Sequence, residues 1–383
     1  MSLSLLLTAA GWAVFALAAC GAAYACVATW TLWRFVARPA RAPRLCRAVS
    51  VLKPLHGDEP ELYENLASFC DQDYGGEVQL ILGARDANDG ALAVARRLQQ
   101  AYPGRDIVVA THPAVHGANR KISNLINMLA LARGETIVIS DSDVRIPRDG
   151  LSRMVAALEA PAVGLIYCLY RGRAAGNIWS RLAAMDVDIR YAPSVTVGEV
   201  MGANPVLGPT MALRRETLEL IGGLAPLADV LADDFELGRA VRAAGLAIAS
   251  PPLVIDHVFP ERTAREMLIH ELRWARTNRL IEPAGYLGTV VTHVLPLAVI
   301  GAALCGFSDT SLALLAGLAG LRLVQAAAFS LLISDGWGRP WLVPLRDVIS
   351  FGVFLAAIVG DRVVWRGRRL IVARSGVILT ASA

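Results

Sequence analysis

The hydrophobic and polar positions follow three different patterns along the chain. Residues 1 to 33 carry no charged side chain, and Leu3 to Trp30 is long enough to cross a bilayer. From residue 49 to residue 282, short apolar runs alternate with amphipathic stretches, and residues 283–383 are largely apolar again. The pattern predicts an N-terminal transmembrane anchor at 1–33, a basic juxtamembrane linker at 34–48, a folded domain at 49–282 and a C-terminal membrane region at 283–383.

The basic linker sets the expected orientation of the anchor. Arginines follow the apolar stretch at positions 34, 38, 41, 44 and 47. Under the positive-inside rule this flank is cytoplasmic, so the N-terminus faces out and the domain faces the cytoplasm. A signal peptide would need a basic segment before its apolar stretch, and none is present.

The middle part has the alternation of an α/β domain. Strands are predicted at 48–55, 78–84, 106–112, 136–140, 164–171 and 208–215, with helices at 60–70, 91–101, 118–133, 177–191, 231–245 and 270–280. Such alternation predicts a mostly parallel, Rossmann-like sheet with helices on both faces. The helix at 177–191 fits either packing in the core or a surface that meets lipid.

The C-terminal region predicts about two to three membrane helices. Pro283 to Ser308 has no charge and predicts one span, and Thr310 to Ser334 predicts a second. The second carries Arg322 near its middle, which must face protein or a wet cavity. Val348 to Gly360 has only 13 uncharged residues and favours an interfacial segment. If it did span, the arginines at 362, 366, 368 and 369 would lie outside, against the positive-inside rule.

Composition supports a membrane protein with a folded domain. Hydrophobic residues make up 55% and charged residues 18% of the chain, with a mean hydropathy of +0.47 and a formal net charge of +4. The six cysteines form no CxxC pair, so we expect neither a disulfide framework nor a zinc site. Lys53 and Lys121 are the only lysines among the 37 basic residues, and both are therefore candidates for a specific role.

Candidate chemistry lies at the ends of two predicted strands. Asp141 and Asp143 directly follow the strand at 136–140, and Asp86 and Asp89 follow the strand at 78–84. Alternate residues of an extended chain project to one side, so Asp141 and Asp143 can reach one hard cation. A solvated turn is the competing interpretation of either pair. Because ligands of open α/β sheets bind at the carboxyl ends of strands, one cleft is the economical interpretation.

Several motifs together resemble the family 2 and family 21 glycosyltransferases, within them the ceramide glucosyltransferase group. The similarity extends from residue 49 to residue 280 and is carried by VSVLKPLHG, Asp89, GANRKISNLIN, the DSD at 141–143, GPTMALRRETLELIGG, ADDFE and HELRWARTNR. The anchor in front and the apolar tail fit the group's layout. The nearest resemblance is to the bacterial branch that glycosylates hopanoids.

The resemblance implies a GT-A fold and an inverting transfer from a UDP-sugar to a lipid hydroxyl. N-acetylglucosamine and bacteriohopanetetrol are the implied sugar and acceptor, with glucose and ceramide as alternatives. The implied partners are therefore the UDP-sugar donor, a hopanoid or ceramide acceptor and the bilayer, and no nucleic acid. The implied cofactor is Mg²⁺ or Mn²⁺, and the implied location is the bacterial inner membrane, with the catalytic domain facing the cytoplasm.

The resemblance also assigns roles to residues. It makes Asp234 the general base, which takes the acceptor proton, whereas spacing alone could not choose it over Asp233 or Glu236. Asp143 is implied as a metal ligand with Asp141 in support. The nucleotide-sugar contacts are implied for Asp86, Asp89, Lys121, Lys53 and Asp141. The contacts to the diphosphate or the acceptor are implied for His270, Arg273 and Trp274.

Structural interpretations compete with most of these roles. Asp89 lies in NDG, a favoured turn sequence, and Asp234 lies at a helix start, where an acidic charge favours the helix dipole. The family motif has Gln or Arg where this chain has His270, so the contact made by that residue is open. The ceramide enzymes can carry Asp-Ser-Gly where this chain has Asp-Ser-Asp, which favours metal binding here.

Three other functions compete with single transfer to a lipid. A processive polysaccharide synthase would have Gln at position 270 and more spanning helices. A sugar nucleotidyltransferase would begin with a Gly-rich nucleotide loop, which LKPLHGDEP is not. An inactive membrane scaffold would be expected to have lost one of Asp141, Asp143 and Asp234.

Overall fold

A seven-stranded sheet forms the centre of the molecule in the computed structural model. The structure describes residues 2–203, 205–334, 339–360, 362–365, 368–373 and 376–382, so Arg366 lies outside the described residues. The strands in chain order are β1 Val49–Pro54, β2 Val78–Ala84, β3 Asp106–Thr111, β4 Thr136–Ser140, β5 Val144–Arg145, β6 Val163–Tyr167, β7 Leu169–Ala174, β8 Thr210–Arg214, β9 Ala247–Ala249, β10 Val254–Phe259, β11 Arg362–Trp365, β12 Arg368–Val372 and β13 Ile378–Ser382.

The strand order explains where a site can form. The central sheet runs β3-β2-β1-β4-β8-β6-β9, and only β8 is antiparallel to its neighbours. A second sheet, β5-β10-β7, lies beyond the end of β4. The predicted mostly parallel α/β fold is confirmed. The carboxyl ends of β1, β2 and β4 share one edge, where α/β proteins bind ligands.

The helices flank this sheet and then form the C-terminal region. They are α1 Leu3–Val36, α2 Leu62–Cys70, α3 Ala91–Ala101, α4 Arg120–Leu129, α5 Gly150–Leu158, α6 Ile178–Asp186, α7 Ala192–Val200, α8 Arg215–Leu220, α9 Asp233–Ala243, α10 Ala264–Ile281, α11 Pro283–Gly288, α12 Val294–Leu304, α13 Asp309–Ile333 and α14 Val343–Ile358. A π-helical turn, Val187–Tyr191, joins α6 to α7.

The apolar runs predicted as strands are buried because layers cover both faces of the sheet. Every residue of β1 and β4 is buried, as expected of interior parallel strands. The last turns of α1 join the same core, since Ala28, Leu32 and Phe35 belong to it. The anchor is thus packed on the domain over its final three turns rather than tethered to it by a loose linker.

Two predicted elements of the domain differ in the structure. The single strand predicted at 164–171 is divided into β6 and β7, and Cys168 between them is fully buried. The segment 177–191 is not one regular helix, because its last five residues form the π turn. Its Leu182 and Ala184 are buried against β7, which decides for the core-packing alternative.

The first predicted C-terminal span is bent. Pro283–Thr292 and Val294–Leu304 meet at an angle of 69°, so the segment predicted as one span over 283–308 consists of two helices with a bend between them. Within the described residues, α1, α13 and Pro340–Ile358 are each long and apolar enough to cross a membrane, and the bent pair would make a fourth span. The helix expected near 348–360 begins earlier, at Val343.

Arg322 of α13 faces protein, as predicted. Its guanidinium donates to both carboxylate oxygens of Asp347 in α14, at 2.9 and 2.8 Å, and both side chains are 4% exposed. Two parallel N–H···O bonds of this kind are the strong form of an arginine–carboxylate pair. The pair fixes the start of α14 against the middle of α13.

The C-terminal part of the chain contains strands as well as helices. After α14 it forms the antiparallel sheet β11–β13, which packs on Leu231 and Leu280 of the domain. The backbone N–H of Leu231 donates to the carbonyl of Gly376, and Val230 pairs with Val377.

Candidate active site

Four carboxylates and one lysine meet at the edge of the central sheet. Asp141 and Asp143 follow β4, Asp233 and Asp234 begin α9, and Lys121 comes from the first turn of α4. The Nζ atom of Lys121 lies 2.7 Å from Oδ1 of Asp141 and 3.6 Å from Oδ2 of Asp233. Three segments far apart in sequence thus converge, and we call this group the carboxylate cluster.

The loop that carries Asp141 and Asp143 is held from below by Lys53. The Lys53 side chain is fully buried, and its Nζ donates to the carbonyls of Asp141 at 2.7 Å and Val144 at 2.9 Å. It also lies 4.1 Å from the centre of the Phe69 ring. The predicted contact between Lys53 and the nucleotide was wrong, because the ammonium group is used beneath the loop. Burial lowers the pKa of Lys53 to about 7 despite the neighbouring carboxylates.

His257 of β10 is part of the same site. Its Nε2 lies 3.2 Å from Oδ2 of Asp143, and the side chain is 7% exposed. Burial opposes the ionisation of Asp143, but the attraction of His257 and the two lysines outweighs it and lowers the pKa of Asp143 to about 2. Burial, only partly offset by Lys121, raises the pKa of Asp141. The two neighbouring aspartates therefore differ in how readily they give up a proton.

Asp234 has the properties of a proton acceptor. Burial and the charge of Asp233 raise its pKa to about 6, close to the range in which a general base works best. Its Oδ1 accepts from the backbone N–H of Phe235 at 2.8 Å. A Cβ on Gly208 would lie 3.0 Å from its Oδ2, so glycine at that position leaves room for this orientation.

An aromatic cluster forms one wall of the site. Trp274 of α10 lies near four rings, with ring centroids 4.6 Å from His270 and 6.2 Å each from Tyr191, His257 and Phe259. His270 contacts Glu261, whose Oε1 lies 2.5 Å from its Nδ1. Burial lowers the pKa of His270. The structure thus brings His270 and Trp274 together beside His257, and Arg273 occupies the same turn of α10.

Asp89 and Asp86 occupy different settings. Asp89 Oδ1 accepts from the backbone N–H groups of Gly57, at 2.8 Å, and Ala91, at 3.0 Å, which joins the loop after β1 to the start of α3. Asp86 is exposed and accepts from its own turn at Asn88, at 2.9 Å. Asp86 therefore has the geometry of a turn residue, and Asp89 that of a residue that ties two loops together.

Sequence reasoning missed His257 and Glu261. His257 stands alone in a strand, VIDHVF, where a single histidine is more often a core residue. Glu261 is 4% exposed but is followed by Arg262 in a polar loop, so nothing in the sequence distinguished it. The feature that could have identified them is their place in β10 and just after it, because the partner strand β5 directly follows the DSD motif.

The donor atoms around Asp143 fit a cation that takes few protein ligands. Within the described residues, no three His, Cys, Asp or Glu side chains form a ready set of metal ligands. However, Oδ1 of Asp143 and Nδ1 of His257 are buried without a hydrogen-bond partner. A hard cation that takes one or two carboxylates and completes its shell with water and substrate phosphates fits such a donor-poor site.

The sheet, its edge and the carboxylates define the class of protein. A mannosyltransferase from Pyrobaculum calidifontis, solved with GDP-mannose and Mn²⁺, superposes with a TM-score of 0.55 over 92% of this chain and 99% of its own, at 21% identity. This likeness shows the fold, which is the GT-A type of glycosyltransferases.

The family follows from the sequence match. The model of glycosyl transferase family 21 matches residues 13–378. The chain belongs to this family and is a glycosyltransferase enzyme. The predicted resemblance to the ceramide glucosyltransferase group is confirmed.

Two curated relatives are named for lipid glycosylation. Ceramide glucosyltransferase 1 of Caenorhabditis elegans is 25% identical over 87% of this chain and 73% of its own length. The β-monoglucosyldiacylglycerol synthase of Synechocystis is 25% identical over 51% of this chain and 39% of its own length. The chain therefore spans less than half the length of the second relative.

Proposed function

We propose that this protein transfers a hexose from a UDP-sugar to a hydroxyl group of a membrane lipid, with inversion at the sugar carbon. The observation that carries the proposal is the carboxylate cluster, in which Asp234 has a pKa of about 6 next to a lysine-neutralised pair of aspartates. The family and the names of the relatives support a lipid acceptor. Membrane-spanning helices next to the site supply the acceptor's environment.

Asp234 acts as the general base. Its carboxylate accepts the proton of the acceptor hydroxyl while the oxygen attacks the sugar carbon and UDP leaves from the opposite side. The Phe235 N–H holds Oδ1, which fixes the direction of the carboxylate. Asp233 raises the proton affinity of Asp234 and is itself paired with Lys121.

The donor lies across the strand ends. Lys121 at the start of α4, Asp141 after β4 and Asp89 in the loop after β2 contact the nucleotide sugar. Arg273 contacts the diphosphate. Trp274 and the other rings of the aromatic cluster form an apolar wall for the sugar or the acceptor. Water is excluded on this side, because His257, Phe259 and Tyr170 are buried.

Asp143, with His257 beside it and Asp141 in support, would hold Mg²⁺ or Mn²⁺. When bound, such a cation neutralises the charge that grows on the UDP diphosphate. His257 and the lysines keep Asp143 ionised at neutral pH, so the ligand is available without proton release.

Two kinds of acceptor remain, and a different observation favours each of them. The motif resemblance favours N-acetylglucosamine transfer to bacteriohopanetetrol, at the inner membrane of a bacterium. The names of the relatives favour a glucosylated lipid such as ceramide or diacylglycerol.

The test is UDP release by the detergent-solubilised full chain. UDP-glucose and UDP-N-acetylglucosamine are each combined with bacteriohopanetetrol, ceramide or diacylglycerol, with Mg²⁺ or Mn²⁺. We expect one pair to turn over, and turnover to fall by about 10² to 10⁴ in Asp234→Asn and to stop with chelator. Glu219→Gln, an exposed carboxylate on α8, is the matched control and should be unchanged. Turnover that survives Asp234→Asn would place the base elsewhere, and no turnover with any lipid would overturn the acceptor class.

A further inference from the structure

Helix α14 has two faces of opposite character. One face is buried and includes the charged residues Arg346 and Asp347. The other exposes large apolar side chains: Leu345 is 48% exposed, Val348 60%, Leu355 48% and Val359, just after the helix, 73%. These four positions fall on one side of a helix, because the spacings 3, 7 and 4 are close to whole turns. Trp341, 70% exposed, precedes them on the same side.

The buried face is attached to α10, the helix that carries His270, Arg273 and Trp274. Both terminal nitrogens of Arg346 donate to the two oxygens of Glu271, each at 2.6 Å, and the Arg346 side chain is fully buried. At the far end, the Arg279 side chain donates to the carbonyl of Gly360 at 3.0 Å. The two helices therefore run side by side in the same direction from Glu271 to Arg279.

Helix α10 cannot lie across a bilayer. Its 18 residues include seven titratable side chains, namely Arg265, Glu266, His270, Glu271, Arg273, Arg276 and Arg279. Each charged group in the bilayer centre costs about 2.5 to 3.5 kcal/mol even on insertion scales. A helix clamped along α10 at both ends is held with it on the domain side of the bilayer, and the contact of its Asp347 with Arg322 of α13 sets how deep its first turns lie in that leaflet.

The chain also enters α14 from the side of the catalytic domain and returns to that side after it. At the end of α13, the hydroxyl of Ser334 donates to Asp188 at 2.7 Å, and Arg171 donates to the carbonyl of Ile333 at 3.0 Å. After α14, β13 packs on the domain near Leu231. The other end of α13 is remote from the domain, because the preceding Cys305 contacts the carbonyl of Thr8 near the start of α1.

We propose that α14 does not cross the membrane but lies along the bilayer surface that faces the catalytic domain, with its exposed apolar row in that leaflet. Length and composition alone would allow it to span. The occupant of the row is lipid, since α1 and α13, which are long and apolar enough to cross a membrane, expose large apolar side chains as well. The crossings are then α1, the bent pair and α13, and the arginines after residue 361 remain on the domain side, in agreement with the positive-inside rule.

Spin-label depth tests this placement. Single cysteines at 345, 348, 355 and 359, in a chain whose six cysteines are replaced, are labelled with a nitroxide in vesicles of phosphatidylethanolamine and phosphatidylglycerol. A surface helix keeps all four labels within about 5–10 Å of the headgroup boundary, whereas the rise from 345 to 359 is about 21 Å for a crossing helix. Labels at the exposed Leu312, Leu321 and Val324 of α13 are the control and should change steadily in depth. A comparable change along α14 would overturn the proposal.

An independent measurement keeps the native cysteines. Epitope tags are inserted beside Phe307, in the exposed turn before α13, and after Ala383, and their protease access is compared in right-side-out and inside-out vesicles. We expect the tag at 307 on the face opposite the domain and the C-terminal tag on the domain's face. A C-terminal tag on the opposite face, or a tag at 307 on the domain's face, would contradict the three crossings. Tag access does not depend on the sugar or the acceptor. This placement of α14 can therefore fail while the proposed function holds, and the reverse.

Discussion

The ammonium group of Lys121 is shared between Asp141, at 2.7 Å, and Asp233, at 3.6 Å. Burial acts to lower the pKa of Lys121, but these two carboxylates outweigh it and raise that pKa. One positive charge thus joins the loop after β4 to the start of α9, and it offsets part of the negative charge that a diphosphate would meet.

Lys121→Met should weaken donor binding. Without the ammonium group, Asp141 and Asp233 repel the UDP-sugar, and charged hydrogen bonds worth about 1.5–3 kcal/mol are lost. We expect kcat/KM for the donor to fall by about 10- to 100-fold, with weaker UDP binding by calorimetry. Arg96→Met, an exposed change on α3, is the control. Unchanged UDP affinity in Lys121→Met would remove this residue from the donor site.

The pH dependence of turnover should report Asp234. A general base must be deprotonated, and the pKa of Asp234 is about 6. We expect kcat/KM to be level above this pH and to fall about tenfold per unit below it. Initial rates of UDP release between about pH 5 and pH 8 measure this fall in kcat/KM. A profile that stays level down to pH 5 would show that no group with this pKa controls the reaction.

Asp234→Asn should make the fold more stable while it removes activity. A carboxyl whose pKa rises from 3.8 to about 6 on folding contributes full stability below pH 3.8 and loses it as the pH rises through 6. At neutral pH the amide avoids this loss, and we expect a gain of about 1–2 kcal/mol, less than the full 1.4 kcal/mol per pKa unit because the side chain is partly exposed.

The matching variant for this comparison is Asp143→Asn. The pKa of Asp143 is lowered to about 2, so its ionised form stabilises the fold above the unfolded pKa, and that contribution is lost as the pH falls through the folded pKa. The midpoint temperature of thermal unfolding, measured in detergent at neutral pH, should therefore rise for Asp234→Asn and fall for Asp143→Asn. Shifts of the same sign would contradict the assignment of opposite environments to the two carboxylates.

Arg346 and Glu271 should behave as a coupled pair. Arg346→Met leaves the buried carboxylate of Glu271 without this partner, which costs about 3–5 kcal/mol. Glu271→Leu costs less, because Arg346 keeps Asp186, 3.3 Å away, as an ion-pair partner. The double variant removes both charges and should lose clearly less than the sum of the single changes. Thermal unfolding of the four proteins measures the coupling, and strictly additive losses would show that the 2.6 Å contacts contribute nothing specific.

The sequence predicted the elements whose environment is uniform along their length. The run Thr136–Ser140 is buried on both faces, so its composition alone indicated an interior strand. The place of Asp141 and Asp143 followed from it, because a parallel sheet collects its strand ends at one edge. Their roles in catalysis stay predictions until the variants are measured.

Long-range contacts explain what the sequence did not predict. Nothing near Lys53 shows that the carbonyls of Asp141 and Val144 turn inward to meet its ammonium group. The bend after Thr292 lies in a stretch without acidic or basic charge, which predicted one span, although His293 and Pro296 interrupt its apolar run. His257 and Asp143 are 114 residues apart in the numbering, so only the fold could bring them together.

The sheet β11–β13 has a consequence for the synthesis of the protein. Its Gly376 and Val377 pair with Leu231 and Val230, just ahead of Asp233 and Asp234 in the chain. A ribosome that has made the α/β domain up to residue 282 still has to deliver about 95 further residues, including the apolar C-terminal helices, before this support exists. Catalytic competence is then a late event in biogenesis, and a chain truncated before residue 376 would be inserted in the membrane with its base poorly held.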